Sequence, residues 1–325
     1  MAQHRQTVSL LAALGETMDA ALDLMWSKYR GWSARARTIR SDLDRWRLRT
    51  LALTVIGAVL ATLASQLPGR LPNLQVVAQF LSAASAVAMA LAAWAASSML
   101  DSKVEKDWIR ARALAERAKS EAYRYATRVP PYDGADASQK LFDKVKELMA
   151  EGEDLPAIEP EGADASKGRP GSPLSVQDYI AIRLEEQINW FAPKATMNER
   201  NAARCTRAVQ VLSAIAAGLG ALGAVFAGAG IEVWVATLST ITTAIGTYAL
   251  AERYQRLAAT YRLAADRLKL RLTEWQILTQ GQPANAAADH ALILDSEGLM
   301  NGENDAWVAD FLKRTATPAG ANAVP

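Results

Sequence analysis

The chain has 325 residues, half of them hydrophobic, with 36 lysines and arginines against 34 aspartates and glutamates. Its basic residues crowd beside apolar blocks instead of forming a basic face on a soluble domain, which argues against nucleic acid as a partner. One cysteine, Cys205, excludes an intrachain disulfide and a cysteine-based zinc site, and the two histidines, His4 and His290, lack the i, i+4 spacing of a helical metal pair.

The mean hydropathy is near zero, an average over two unlike populations, apolar blocks and highly charged segments. From Thr7 to about Tyr29 apolar residues recur at helical spacing (Leu10, Leu14, Met18, Leu22, Met25). Glu16 and Asp19 follow the short run TVSLLAALG too soon for a signal peptide, so an amphipathic helix is expected there. Eight basic residues lie between Lys28 and Arg49 and lead directly into the first apolar block.

That block, Thr50 to Leu100, carries one charge, Arg70, and is broken by Pro68-Gly69-Arg70-Leu71-Pro72. A membrane span needs about 20 mostly apolar residues, so two spans are expected, at about 50–67 and 74–100. Charge returns from Asp101 to Arg128 in mixed signs, reading as an exposed or bundle-forming helix. Unbroken from Leu74 to Val129, it would run on the order of 80 Å. A short amphipathic helix, Ser138 to Met149, precedes a segment rich in Gly, Pro and acidic residues. Residues 150–173 are expected to be a flexible linker, because they have too little apolar surface to fold alone.

Ser175 then caps a new helix, with Asp178 at the position a capping box uses. A polar helix, interrupted or bent near Pro193, leads to the second apolar block, Ala208 to Ala251, whose one charge is Glu232. Spans are expected at about 208–229 and 232–251. A charged helix follows to about Leu278, and a last helix runs from about Glu303 to Lys313, with residues 315–325 as a disordered tail. The helices after the two hairpins align at a shift of 150 residues: Arg112 with Arg262, Glu116-Arg117 with Asp266-Arg267, Tyr125 with Trp275. The fold class expected is all-α, an integral membrane protein with two transmembrane hairpins whose helices extend into cytoplasmic bundles. Its two units are an internal repeat, 1–149 and 174–314, with some coiled-coil character in the charged helices.

Basic residues flank all four spans on one side, whereas the short turns carry only Arg70 and Glu232. This places both termini and every charged helix in the cytoplasm. No phosphate loop, nucleophile elbow or metal-spaced set is present, so no catalytic residue, metal or cofactor is expected, and the chain does not read as an enzyme. Ala216, Gly220, Ala224 and Gly228 lie four apart, the small-residue pattern of close helix contact. Thr237, Thr240, Thr243 and Thr247 make the fourth span hydroxyl-rich. These residues either bond back to their own helix carbonyls or line an aqueous pore, with Glu232 at its mouth as a cation-favouring carboxylate or simply a solvated acid. Arg112, Arg117, Arg262 and Arg267 are candidates for an anion or nucleotide, and equally for anionic lipid or helix–helix ion pairs.

Tyr179-Ile-Ala-Ile-Arg-Leu-Glu-Glu-Gln-Ile-Asn-Trp190-Phe191, with Lys194-Ala and Asn198, resembles the first helix of the SLATT domain, a bacterial two-transmembrane module. Arg256-Leu-Ala-Ala-Thr-Tyr261, Leu272-Thr-Glu-Trp275 and Glu303-Asn-Asp-Ala-Trp307 are similar to its later elements. The resemblance covers about Leu174 to Leu312, and Met25 to Met149 looks like a more divergent copy. It implies a membrane effector of bacterial conflict systems in the inner membrane that oligomerises and forms a pore or perturbs the bilayer. Its trigger would be a nucleotide second messenger, a partner protein such as a nucleotide sensor, or a change in the membrane. The alternative is a non-conducting membrane scaffold that recruits a cytosolic partner through its charged helices.

Overall fold

The computed structural model describes the backbone of residues 2–155, 157–158, 167–226, 230–280 and 285–316, and side chains from residue 20 to residue 302 within those ranges except at 70 and 72. Every regular element among them is helical: α1 (Ala2–Arg70), a 3-10 turn (Pro72–Leu74), α2 (Gln75–Ser98), α3 (Ser102–Ala126), α4 (Ala137–Glu151), α5 (Val176–Tyr179), a π-helical turn (Ile180–Leu184), α6 (Glu185–Val225), α7 (Glu232–Glu252), α8 (Tyr254–Thr279) and α9 (Ala286–Ala316). Four of these helical stretches are long and apolar enough to cross a membrane. The expected all-α, four-span class holds.

Three boundaries differ from expectation. The amphipathic, basic and first spanning segments form one continuous helix, α1, with Pro68 accommodated in its last turn. The long helix expected from Leu74 breaks at Met99–Asp101, and α3 starts afresh at Ser102. The last helix begins at Ala286, well before Glu303, because Leu292, Ile293 and Met300 share a buried helical face.

By compactness the chain divides into two units: residues 1–40, 106–192 and 260–325 form one, and residues 41–105 and 193–259 the other. Two of the four boundaries fall inside each sequence repeat. The first unit is a helical bundle with a packed apolar core. Leu22, Met25, Trp26 and Trp32 of α1, Leu141, Val145 and Leu148 of α4, and Leu184, Ile188, Leu268 and Leu292 from later helices are buried in it. Within this unit α3 is buried on several faces (Trp108, Ala111, Leu114, Ala118, Ala122, Tyr125), so it is bundle-forming, and its alanines admit neighbouring helices closely. The described ends of the linker dock here. Leu155 is buried, Ile158 N donates to Gly31 O at 3.3 Å, and Trp26 Nε1 donates to Lys167 O at 3.1 Å. Ser175 caps α5 as expected, accepting from Asp178 N at 3.1 Å.

The second unit holds the two hairpins. In the first, Ser85 Oγ of α2 donates to Gly57 O of α1 at 2.8 Å, a close approach allowed by the missing Cβ at Gly57. In the second, Gly220 of α6 faces Val235 of α7. Between hairpins, α1 meets α7. Trp46 and Trp94 pack edge-on at 5.8 Å near the basic ends of the first hairpin, where tryptophan favours the membrane–water interface.

Candidate functional site

The polar feature of the membrane unit is the seam between α1 and α7. Arg47 meets Glu252 near one end, and the Thr62 and Thr237 hydroxyls meet further along. Fifteen residues separate these contacts on each helix, about 22 Å at the helical rise, so the pairing is antiparallel and does not slip. At that period α1 presents Thr50, Thr54, Thr62 and Ser65 to the seam, and α7 presents Thr237, Ser239, Thr240, Thr243 and Thr247.

Two open cavities lie along the seam and share Thr240. One, about 530 Å³, is lined by Arg47, Thr50, Thr54, Ser239, Thr240, Thr243, Thr247 and Tyr248 together with Leu51, Leu100, Ala244 and Ala251. The other, about 310 Å³, takes in Gly57, Thr62, Ser65, Ser85, Met89 and Thr237. Thr54 and Thr240 give their protons to the Thr50 and Ala236 carbonyls, at 2.9 and 3.0 Å. Their oxygens therefore offer lone pairs to the cavity. Thr50 Oγ1 is buried with no protein partner among the described residues.

A charge quartet closes the basic end. Arg47 lies 3.4 Å from Glu252 and 3.7 Å from Glu105, and Arg253 lies 2.8 Å from Glu105. Arg47 is 7% exposed and Glu252 4%. Arg253 is left-handed, with φ +55°, and ends α7; a non-glycine residue there is uncommon. Glu105 opens α3, so the quartet joins α1 to both breaks by which the second helix of each hairpin leaves the apolar zone.

The bundle unit holds a second buried polar cluster. Arg183, in the π-helical turn, forms a two-point salt bridge with Glu297 of α9 at 2.9 Å, and both are at most 1% exposed. Tyr179 donates to Glu297 at 3.0 Å. Burial alone would raise the Glu297 carboxyl, but the Arg183 guanidinium and the hydroxyl donors around it hold it below the usual range. Burial pushes the neighbouring Tyr123 phenol up to about 12. Burial, reinforced by Arg183, lowers the Lys119 ammonium, whose Nζ sits 5.6 Å from the Tyr29 ring centroid.

Residues 179–307 match the family described as SMODS and SLOG-associating 2TM effector domain 1, SLATT_1. This stretch of the chain is similar to the SLATT domain. Residues 29–140 match DUF4231, a family described as of unknown function, and the two matches are consistent with two copies of a SLATT-like domain. Neither a curated protein nor a solved structure matches the chain. Together with the four spans, this likeness supports a multi-pass membrane protein with an effector-type domain.

Of the residues singled out in the SLATT half, Thr240, Thr243 and Thr247 line the larger cavity and Thr237 the smaller. Thr237 and Thr240 also bond back to Val233 and Ala236, so they line cavities while bonded to their own helix carbonyls. Glu232 is exposed in the first turn of α7. Ala216 is buried and Gly220 contacts Val235 within the hairpin; Ala224 is exposed, and Gly228 lies outside the described residues. Among the four arginines, Arg117 is held at two points by Glu151 at 2.6 Å and Arg112 reaches the Tyr261 hydroxyl at 3.5 Å. Arg262 and Arg267 are exposed on α8. Sequence reasoning missed Thr50, Thr54, Thr62 and Ser65. Their spacing of 4, 8 and 3 puts them on one helical face, a signal visible only if the first apolar block is searched for hydroxyls as the second was. It also missed the Arg47–Glu252 and Arg183–Glu297 pairs, which join residues more than 100 positions apart.

Proposed function

We propose that the protein is a bacterial membrane effector that assembles from several copies and makes the cytoplasmic membrane permeable when triggered. The hydroxyl-lined seam in the membrane unit carries this reading, since a span needing only to anchor the chain has no use for a file of polar oxygens facing cavities. The name of the matched domain, an effector associated with SMODS and SLOG modules, supports a nucleotide second messenger or a nucleotide-sensing protein as the trigger. Both termini and the bundle unit are assigned to the cytoplasm from the arginine distribution. No chemistry is assigned to the chain; its work is done on the bilayer.

Purified protein in liposomes of bacterial phospholipid should release trapped K⁺ when a candidate nucleotide or the cognate sensor is added. Liposomes that stay tight under every trigger would remove this reading. A second reading has its own observation. Leu263, Leu270 and Ile277 are exposed on α8 at seven-residue spacing, a stripe suited to a helical partner. A tight liposome together with one stoichiometric cytosolic protein bound through this stripe, and lost in Leu270→Glu, would mark a scaffold instead.

A further inference from the structure

Resting on the pore-forming reading, we propose that the route across the membrane is the α1–α7 seam inside each protomer, not an axis between subunits. What passes is a small inorganic cation. The two cavities follow each other along the seam and share Thr240. Between them they span the helix pairing from Arg47 to Ser65, most of the first apolar segment. The oxygens of Thr54 and Thr240 have committed their protons to helix carbonyls and so turn lone pairs, not donors, toward the cavity. That favours a cation over an anion. The buried, unpartnered Thr50 Oγ1 is a further sign of a polar occupant, since buried hydroxyls rarely go unsatisfied.

Two constrictions interrupt this path. The Thr62–Thr237 hydroxyl contact is polar and light. The quartet is the stronger: two arginines against two glutamates, neutral as a group, with Arg47 among the residues lining the larger cavity. Because Glu105 and Glu252–Arg253 sit at the breaks between α2 and α3 and between α7 and α8, a change of angle at either break separates the pairs. The quartet is therefore the cytoplasmic gate, and its charges are spent on holding it shut.

The test uses full-length protein with Cys205→Ser, reconstituted in liposomes, carrying single cysteines at Thr54 or Thr243. The probe is a positively charged, water-soluble methanethiosulfonate. Val211, exposed on α6, supplies the comparison as Val211→Cys. The expected result is modification of Thr54→Cys and Thr243→Cys at least tenfold faster than Val211→Cys, with triggered K⁺ flux falling at least tenfold. The reversal potential of the unmodified protein should favour K⁺ over Cl⁻. Flux that persists after complete modification at Thr243 overturns the route while leaving pore formation in place. Wild-type liposomes that never leak, seen before any labelling, remove the pore-forming reading and the route with it. Glu252→Gln should raise untriggered flux about tenfold, and the exchange Arg47→Glu with Glu252→Arg should return it toward wild type. An untriggered flux unchanged in Glu252→Gln would dismiss the gate.

Discussion

Arg183 and Glu297 are both fully enclosed, so each needs the other. Removing one partner of a buried pair leaves an uncompensated charge, which costs about 3–5 kcal/mol. Arg183→Met and Glu297→Gln are each expected to destabilise the protein by that amount, measured by denaturant unfolding in detergent. The double variant should cost much less than the sum, because the coupling is between neighbours. The pair also sets an acid limit. Glu297 is held below the ordinary carboxyl range in the folded protein, against about 4.3 when unfolded. The folded state thus binds fewer protons, so its contribution is complete above pH about 4.3 and is lost as pH falls through the folded value. The melting temperature should drop along that limb in wild type, with the drop shallower in Glu297→Gln.

At the scale of elements, the helices pack where side chains are missing or polar. A Cβ at Gly57 would lie 2.9 Å from the Met89 side chain, whose flexible thioether can move. Gly57→Ala should therefore be tolerated, whereas Gly57→Leu forces α1 off α2 at a cost of about 1–3 kcal/mol and breaks the Ser85 hydrogen bond. Thermal unfolding of the two variants in one detergent distinguishes them. At the short turn of the second hairpin Gly230 has φ +69°, and a Cβ there would meet Gln66 at 2.5 Å. The backbone conformation favours glycine at that position, whereas the Gln66 amide, at the end of a flexible side chain, can move aside. The breaks after α2 and after α7 fall within a few residues of each other at the 150-residue shift, so the repeat is present in backbone as well as in charge. The sequence shows the charged stretches but not these breaks. Neither Met99–Asp101 nor Arg253 carries a proline or glycine; Arg253 pairs with Glu105, in the first turn of the helix that follows the other break.

For the whole molecule, the expected orientation follows from the arginine distribution and is open to direct measurement. A reporter enzyme active only in the cytoplasm should be silent when fused at Gly69 and active when fused near the linker at Ser172. Activity at Gly69 would invert the topology and put the quartet at the wrong face for a cytoplasmic trigger. The division into two compact units has a consequence here as well. Each draws on both sequence repeats, so deleting either half removes part of both the bundle core and the seam. Neither half by itself is expected to permeabilise liposomes.

Apolar length, basic flanks and the proline-glycine break made the four spans legible in the sequence, because crossing a bilayer imposes a local demand that each segment meets by its own composition. The hydroxyls of α7 and the contact at Gly220 were legible for the same reason, through helical spacing. What only the tertiary structure decided is which helices share a seam. Thr62 with Thr237, Arg47 with Glu252 and Arg183 with Glu297 are pairs more than 100 residues apart, and no local period announces them. A lone arginine at a span border reads as a flanking charge until the fold encloses it. Burial then makes a partner obligatory, and the partner's identity comes from packing alone.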